Sequence, residues 1–142
     1  IGQYKYIIVI IDRFSRLVSL TASTSQDDKT IFRTILNNWV YRFGKPKCIL
    51  SDRGKCFESL YLNKKLGILG IKQEFSSPYQ HQSNGLVERM IRTIRDLITA
   101  TLVGGCEERN WPELLPRIEY TINTTKQSAT KFSPFEIVFG KK

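Results

Sequence analysis

One histidine, three cysteines and no long apolar run set the first limits on this chain of 142 residues. The longest apolar stretch, Ile7 to Ile11, has the length of a buried strand and falls far short of the roughly 20 residues that span a bilayer. No charged-then-apolar leader pattern opens the sequence. Cys48, Cys56 and Cys106 are odd in number and lack C-x-x-C spacing, which argues against a disulfide framework and for reduced thiols in an intracellular setting. A single histidine, His81, cannot build a zinc site of the usual His/Cys type. Acidic residues are also few: 13 Asp+Glu stand against 22 Lys+Arg, giving a formal net charge of +9. With 41% hydrophobic and 11% aromatic residues, the chain can bury a core and is not a disordered segment. Its length fits one domain covering residues 1–142, with no repeat, linker or low-complexity stretch.

The positive charge points to an acidic partner, and nucleic acid is the commonest one for a basic domain, although a soluble protein can simply be basic. Placement adds weight. Arg89, Arg92 and Arg95 recur at i, i+3 and i+6 on one expected helix, and Lys45, Lys47, Arg53 and Lys55 form a second group. Such clusters can track a phosphate backbone, but they also describe an ordinary solvated face, in which Arg92 would pair with Glu88 at i, i+4.

Periodicity gives the order β-β-α-β-α-β-α-α followed by a short helix. Tyr4 to Ile11 reads as a strand covered on both faces, Asp12 to Arg16 as a turn, and Leu17 to Ala22 as a hairpin partner. Ile31, Phe32, Ile35, Leu36, Trp39, Val40 and Phe43 give a helix with one apolar face, ended by Gly44 and Pro46. Lys47 to Ser51 is a strand, Phe57 to Leu66 a helix closed by Gly67, and Ile71 to Phe75 a fourth strand. Ser76 to Gly85 reads as a polar loop. A long helix runs from about Leu86 to Leu102, another from Trp111 to Asn123, and Ser133-Pro134-Phe135-Glu136 is a capping box that starts a last one. This is an α/β domain with a mixed sheet.

Two carboxylates stand out. Asp52 follows a strand, at the edge where α/β sheets place their sites, and Gly54 allows close backbone approach. Glu88 falls in the expected first turn of the long helix. Hard oxygen donors at a strand end and on a helix could share Mg²⁺ or Mn²⁺, which would polarise a phosphate and activate an attacking hydroxyl. Each also has a plain structural role open to it, a turn residue for Asp52 and a favourable charge at a helix N-terminus for Glu88.

The words around these residues carry more. Ser51-Asp52-Arg53-Gly54 with Phe57 resembles the T/S-D-x-G-x-x-F segment of retroviral and LTR-retrotransposon integrases. Ser77-Pro78-Tyr79-Gln80-His81-Gln82-Ser83-Asn84-Gly85-Leu86-Val87-Glu88-Arg89 resembles their P-Y-x-P-Q-x-x-G-x-x-E-R segment. Tyr4 through Arg16 is similar to their second strand and turn. Trp111-Pro112-Glu113-Leu114-Leu115-Pro116 and Ser133-Pro134-Phe135-Glu136 with Phe139-Gly140 are similar to the tail of the core in gypsy-class elements. The resemblance covers essentially the whole chain, in order.

It implies a ribonuclease-H-like mixed sheet flanked by helices. It also implies polynucleotidyl transfer, in which element DNA ends are trimmed and their 3′-hydroxyls attack target DNA, within a larger Pol polyprotein. By motif match Asp52 and Glu88 would be two of three acidic ligands of a two-metal site for Mg²⁺ or Mn²⁺. Tyr79, His81, Gln82 and Asn84 would contact DNA with Arg89 and Arg92, though His81 stands where the family usually has Pro. Double-stranded DNA, a homo-oligomer, no membrane, and action in the nucleus after a cytoplasmic particle stage are the implied partners and setting.

The family's third acid is an Asp on a first strand that precedes the one matched by Tyr4 to Ile11. By the resemblance Asp12 is not that residue: it matches the turn that ends the family's second strand, which runs antiparallel to the strand matched by Lys47 to Ser51 and so ends at the opposite sheet edge, roughly 25 Å away at about 3.3 Å per residue. The expectation is therefore a chain truncated just before its central strand, inactive alone, its strands left unpaired where the central strand would lie. Two alternatives remain. One is a catalytically dead, integrase-derived DNA-binding module. The other is a related transposase or nuclease, against which the Tyr79–Glu88 segment and the tail argue.

Overall fold

The structure, a computed structural model, describes residues 4–76, 81–104 and 111–140, with side chains placed in all of these but 81–84. Strand β1 (Tyr6–Ile11) and strand β2 (Val18–Ser23) form an antiparallel ladder in which Ile11 faces Val18 and Tyr6 faces Ser23. The period of two then sorts the side chains. Ile7, Val9 and Ile11 pack with Val18 and Leu20 on one face, while Ile8 and Ile10 turn to the other.

The intervening turn is fixed by Asp12. Its Oδ2 accepts the Ser15 N–H at 3.0 Å and the Ser15 hydroxyl at 2.6 Å, and the Asp12 N–H donates to the Leu17 carbonyl at 2.9 Å. Arg16 takes a left-handed conformation at φ 69° to close it. Asp12 is thus a turn cap, as the sequence indicates.

Helix α1 (Asp28–Ile35) starts at Asp27, whose Oδ1 accepts the Thr30 N–H at 2.8 Å. Thr30 holds the Asp27 carboxyl below its usual range. The helix continues through a π-helical turn, Leu36–Val40, into helix α2 (Tyr41–Phe43). That widened turn carries Asn38, whose amide donates to Thr21 Oγ1 on β2 at 2.7 Å. Gly44, at φ 95°, releases the chain toward Pro46. Strand β3 (Cys48–Ser51) pairs in parallel with strand β4 (Lys72–Phe75), and helix α3 (Leu60–Ile68) crosses between them.

Helix α3 begins later than its apolar pattern suggests, because Ser59 Oγ accepts the Leu62 N–H and caps it there. Gly67 lies inside this helix, and the turn into β4 is made at Gly70, with φ 77°. Helix α4 (His81–Val103), helix α5 (Trp111–Thr124) and helix α6 (Pro134–Phe139) follow. Ser133 Oγ accepts the Glu136 N–H at 3.2 Å, as the capping sequence predicts, and Gly140 ends α6 at φ 74°.

These elements form three layers. Helices α4 and α5 bury Met90, Ile94, Leu114, Leu115, Ile118 and Ile122 against one face of the β1–β2 ladder. Helices α1 and α3 bury Ile31, Ile35, Leu62 and Leu66 against the other, in a cluster that takes in both Ile8 and Ile10 of β1 and Ile49 of β3. One helical layer therefore roofs both ladders, yet the ladders do not join: the described strands form two separate two-stranded sheets, β1–β2 and β3–β4. Strands β1 and β3 stay half-exposed along their whole length despite this cover.

Strand directions follow from a ring contact. Tyr61, in the first turn of α3, meets Phe32 of α1 edge-on at 6.3 Å, and Lys29 Nζ lies 6.0 Å from the same ring. Helix α3 starts from the edge where β3 ends, and α1 from the edge where β2 ends. The ends of β2 and β3 thus share one edge, and β1 runs antiparallel to β3. Asp52 lies at that edge; Asp12 lies at the other.

Candidate metal and nucleic-acid site

Asp52 is exposed at the end of β3, and its loop is built to hold it. Its Oδ1 accepts the Gly54 N–H at 2.9 Å. The Gly54 carbonyl accepts from Phe57 at 2.9 Å and from Glu58 at 3.1 Å. The Gln73 amide of β4 donates to the Phe57 carbonyl at 2.6 Å, which ties the loop to the sheet. Arg53 lies over the Phe75 ring at 5.1 Å and pairs with Glu58 at 2.9 Å. That ion pair is largely exposed and adds little stability.

Glycine at position 54 has a specific cause. A Cβ there would sit 3.0 Å from Asp52 Oδ1 and 3.4 Å from the Phe57 ring. Gly54→Ala should therefore push the carboxylate off its hydrogen bond while the distant core stays intact. The expected outcome is backbone amide resonance shifts confined to residues around 52–58 with a melting temperature within a few degrees of the parent; unshifted resonances would show that the clamp does not matter.

Glu88 is exposed on α4, but not in its first turn. The helix starts at His81, so Glu88 lies about two turns inside it. This corrects the expectation of a loop through Gly85. Polar residues and a glycine are poor helix nuclei, but once a long amphipathic helix exists, adding residues at its end costs little each. The plain role for Glu88 as a charge at a helix N-terminus is thereby removed. His81, Gln82 and Asn84 belong to the helical backbone of α4 rather than to a loop, and Tyr79 lies outside the described residues.

Arg89 and Arg92 are exposed on α4. Arg92 and Arg95 share the solvent stripe of Glu88 at i+4 and i+7, opposite buried Met90 and Ile94. Arg89 lies at the flank of that stripe, its Nη1 3.7 Å from where a Gly85 Cβ would be. Among the described residues Arg92 does not pair with Glu88; the ion pairs are Arg53–Glu58 and Lys72–Glu74.

Asp28, at the start of α1, is a carboxylate at this edge that the sequence pattern does not single out. Burial pushes the Cys56 thiol up, and the charges of Asp52 and Asp28 push it the same way, which puts both acids near this thiol. Only strand order reveals that nearness. Even so, no group of three or more His, Cys, Asp or Glu that could hold a metal ion forms among the described residues.

An antiparallel and a parallel two-stranded ladder packed with helices, with an acid at the end of β3 and another on α4, make a ribonuclease-H-like fold. Residues 1–81 match the family model described as an integrase core domain, and the chain belongs to that family. The Pol polyprotein of Radiation murine leukemia virus (strain Kaplan) is 34% identical over 138 residues, 96% of this chain and 23% of that one. The Gag-Pol polyprotein of feline leukemia virus is 33% identical over 138 residues, 96% of this chain and 8% of that one. The Pro-Pol polyprotein of simian foamy virus type 3 (strain LK3) is 31% identical over 137 residues, 96% and 12% respectively. The chain thus spans less than a quarter of the length of these relatives.

Among solved structures, the catalytic core domain of BIV integrase superposes with a TM-score of 0.77 at 26% identity, covering 94% of this chain and 85% of that one. The HTLV-2 integrase catalytic core domain in complex with magnesium gives 0.77 at 23% identity, covering 94% and 88%, a likeness of fold.

Proposed function

We propose that this chain is the catalytic-core segment of a Pol-encoded integrase that inserts element DNA into target DNA by polynucleotidyl transfer. The observation that carries this reading is the clamped carboxylate of Asp52 at the end of β3, in an integrase-core fold with Glu88 exposed on α4. Both side chains offer hard oxygen donors at exposed positions, which suits Mg²⁺ or Mn²⁺, ions that take one or two carboxylates and complete their shell with water and phosphate oxygen. A bound divalent ion would polarise the scissile phosphate and activate the attacking water or 3′-hydroxyl.

The chain's own residues do the rest. Gly54 orients the Asp52 carboxylate before any ion arrives. Arg89 and Arg92 draw DNA phosphates toward the Glu88 stripe. Tyr79, His81, Gln82 and Asn84 complete the DNA contact in this reading. The third acid would come from an apolar strand upstream, seated between β1 and β3, and the 142-residue chain alone joins no DNA ends. Action as a homo-oligomer on two DNA ends, in the nucleus after a cytoplasmic particle stage, belongs to the same reading.

A second reading, a DNA-binding module without catalysis, rests on the net charge of +9 and on Arg89 and Arg92 exposed on α4. One experiment separates the two. The chain is extended upstream by its own coding sequence and incubated with labelled element-end duplexes in Mg²⁺. Joined products support the enzyme. Metal-independent DNA binding without joining at any extension supports the module.

A further inference from the structure

The sheet edge opposite Asp52 has not entered the proposed chemistry, and its charge is one-sided. It gathers the β1–β2 turn and the passage from α2 into β3. Arg13, Arg42, Lys45 and Lys47 are exposed there and Arg16 is half-exposed. Carboxylates near this edge are engaged already: Asp12 accepts two hydrogen bonds from Ser15, and Glu74 lies 3.4 Å from Lys72 Nζ. Among the described residues no ion pair neutralises these five cations. Between Arg13 and Arg16 the Phe14 side chain is 81% exposed, an aromatic ring offered to solvent at the turn's tip. Nothing in the packing explains it, whereas Asp12 and buried Ser15 make the turn beneath it rigid. Arg13 and Lys72 both oppose the rise of the Cys48 thiol, which agrees with the turn and the start of β3 lying side by side.

We propose that this edge is a second, sequence-independent contact surface for duplex DNA, in which Arg13, Arg16, Arg42, Lys45 and Lys47 neutralise phosphates and Phe14 packs into a groove. Phosphate is the partner that a dense, unpaired cationic edge fits, and a rigidly presented aromatic flanked by arginines suits a wedge against stacked bases. The six residues of β1 separate the two edges by about 20 Å. The far edge therefore engages a different stretch of DNA from the one at Asp52 and Glu88. The proposal rests on the reading that this protein acts on DNA, and the test keeps the two apart.

The full 142-residue chain is titrated without divalent metal against a fluorescent duplex of about 30 base pairs over a range of KCl. The Arg13→Glu/Lys47→Glu variant should bind about tenfold or more weakly at roughly 0.1 M salt, with a log–log salt slope smaller by about 2. Phe14→Ala should lose about three- to tenfold with the slope unchanged, since a ring releases no counterions. A charge-matched variant at exposed positions elsewhere, Lys64→Glu/Lys126→Glu, should lose less than about threefold. Thermal melts check that all variants are folded. Equal losses in the matched variant would reduce the effect to net charge and overturn the proposal. So would unchanged binding by Arg13→Glu/Lys47→Glu and Phe14→Ala while Arg89→Glu/Arg92→Glu binds weakly, a result that leaves the proposed function standing. Polyglutamate binding that needs the same residues, with DNA affinity unchanged, would assign the edge to an acidic protein instead. A parent chain that binds no DNA at all would remove both readings.

Discussion

Asp52→Asn, in a protein extended upstream by its own coding sequence and found competent to join DNA ends, should lower that joining by about 10³-fold or more, roughly 4 kcal/mol of barrier. The substitution is nearly isosteric, and its amide oxygen can still accept the Gly54 N–H that Asp52 Oδ1 accepts at 2.9 Å. The loop through Phe57 and Glu58 is held by the Gly54 carbonyl and by Gln73, neither of which the change touches. What disappears is the negative charge that a divalent ion requires. The melting temperature and the metal-free affinity for duplex DNA should therefore match the parent. Glu88→Gln should behave in the same way, because Glu88 is exposed on α4 and is in none of the ion pairs formed among the described residues. A gel assay of joined products in Mg²⁺, run beside a melt and a binding titration, reads all three quantities. Joining retained by either variant would remove that residue from the metal site, and joining lost together with the melting transition would make its role structural.

Local chemistry made much of this fold readable. An unbroken run of β-branched residues marks β1, and Asp12 before Ser15 and Arg16 marks the turn, because a short acid next to small polar residues can satisfy their N–H groups. Ser133-Pro134 fixes the start of α6 for the same kind of local reason. Asp52 is legible as a candidate from its place after an apolar strand. Long-range effects are harder to see. The π-helical turn at Leu36–Val40 serves a contact between Asn38 and Thr21 on another element, and no propensity encodes it. The early start of α4 at His81 reflects a helix driven by Met90, Ile94 and their partners further along rather than by its own first residues. Asp28 joins the Asp52 edge only through the strand order. Most hidden is how β2 treats its outer edge, since the residues that answer it lie about a hundred positions away.

Strand β2 pairs with β1 on one side, and helix α5 supplies hydrogen-bond partners to its backbone from elsewhere in the chain. The Asn123 amide accepts the Val18 N–H at 2.9 Å through Oδ1 and donates to the Val18 carbonyl at 3.0 Å through Nδ2. Two residues along, Glu119 Oε1 accepts the Leu20 N–H at 2.7 Å. Asn123 is 3% exposed and Val18 equally so, which leaves no room for solvent to stand in. Asn123→Leu, which keeps the branched shape but has no polar atom, should thus destabilise by about 2–6 kcal/mol, the cost of two buried backbone groups left unsatisfied at ~1–3 kcal/mol each. Glu119→Gln should cost less, since Gln keeps an acceptor for Leu20. Urea unfolding with a common slope for parent and variants checks both. If Asn123→Leu proves neutral, β2 must find other partners, and the edge is not sealed by α5. If the expected loss appears, the same experiment shows why this edge of the sheet does not recruit a further strand, whereas the half-exposed edges of β1 and β3, with no comparable side-chain partner among the described residues, remain the place where a strand can enter.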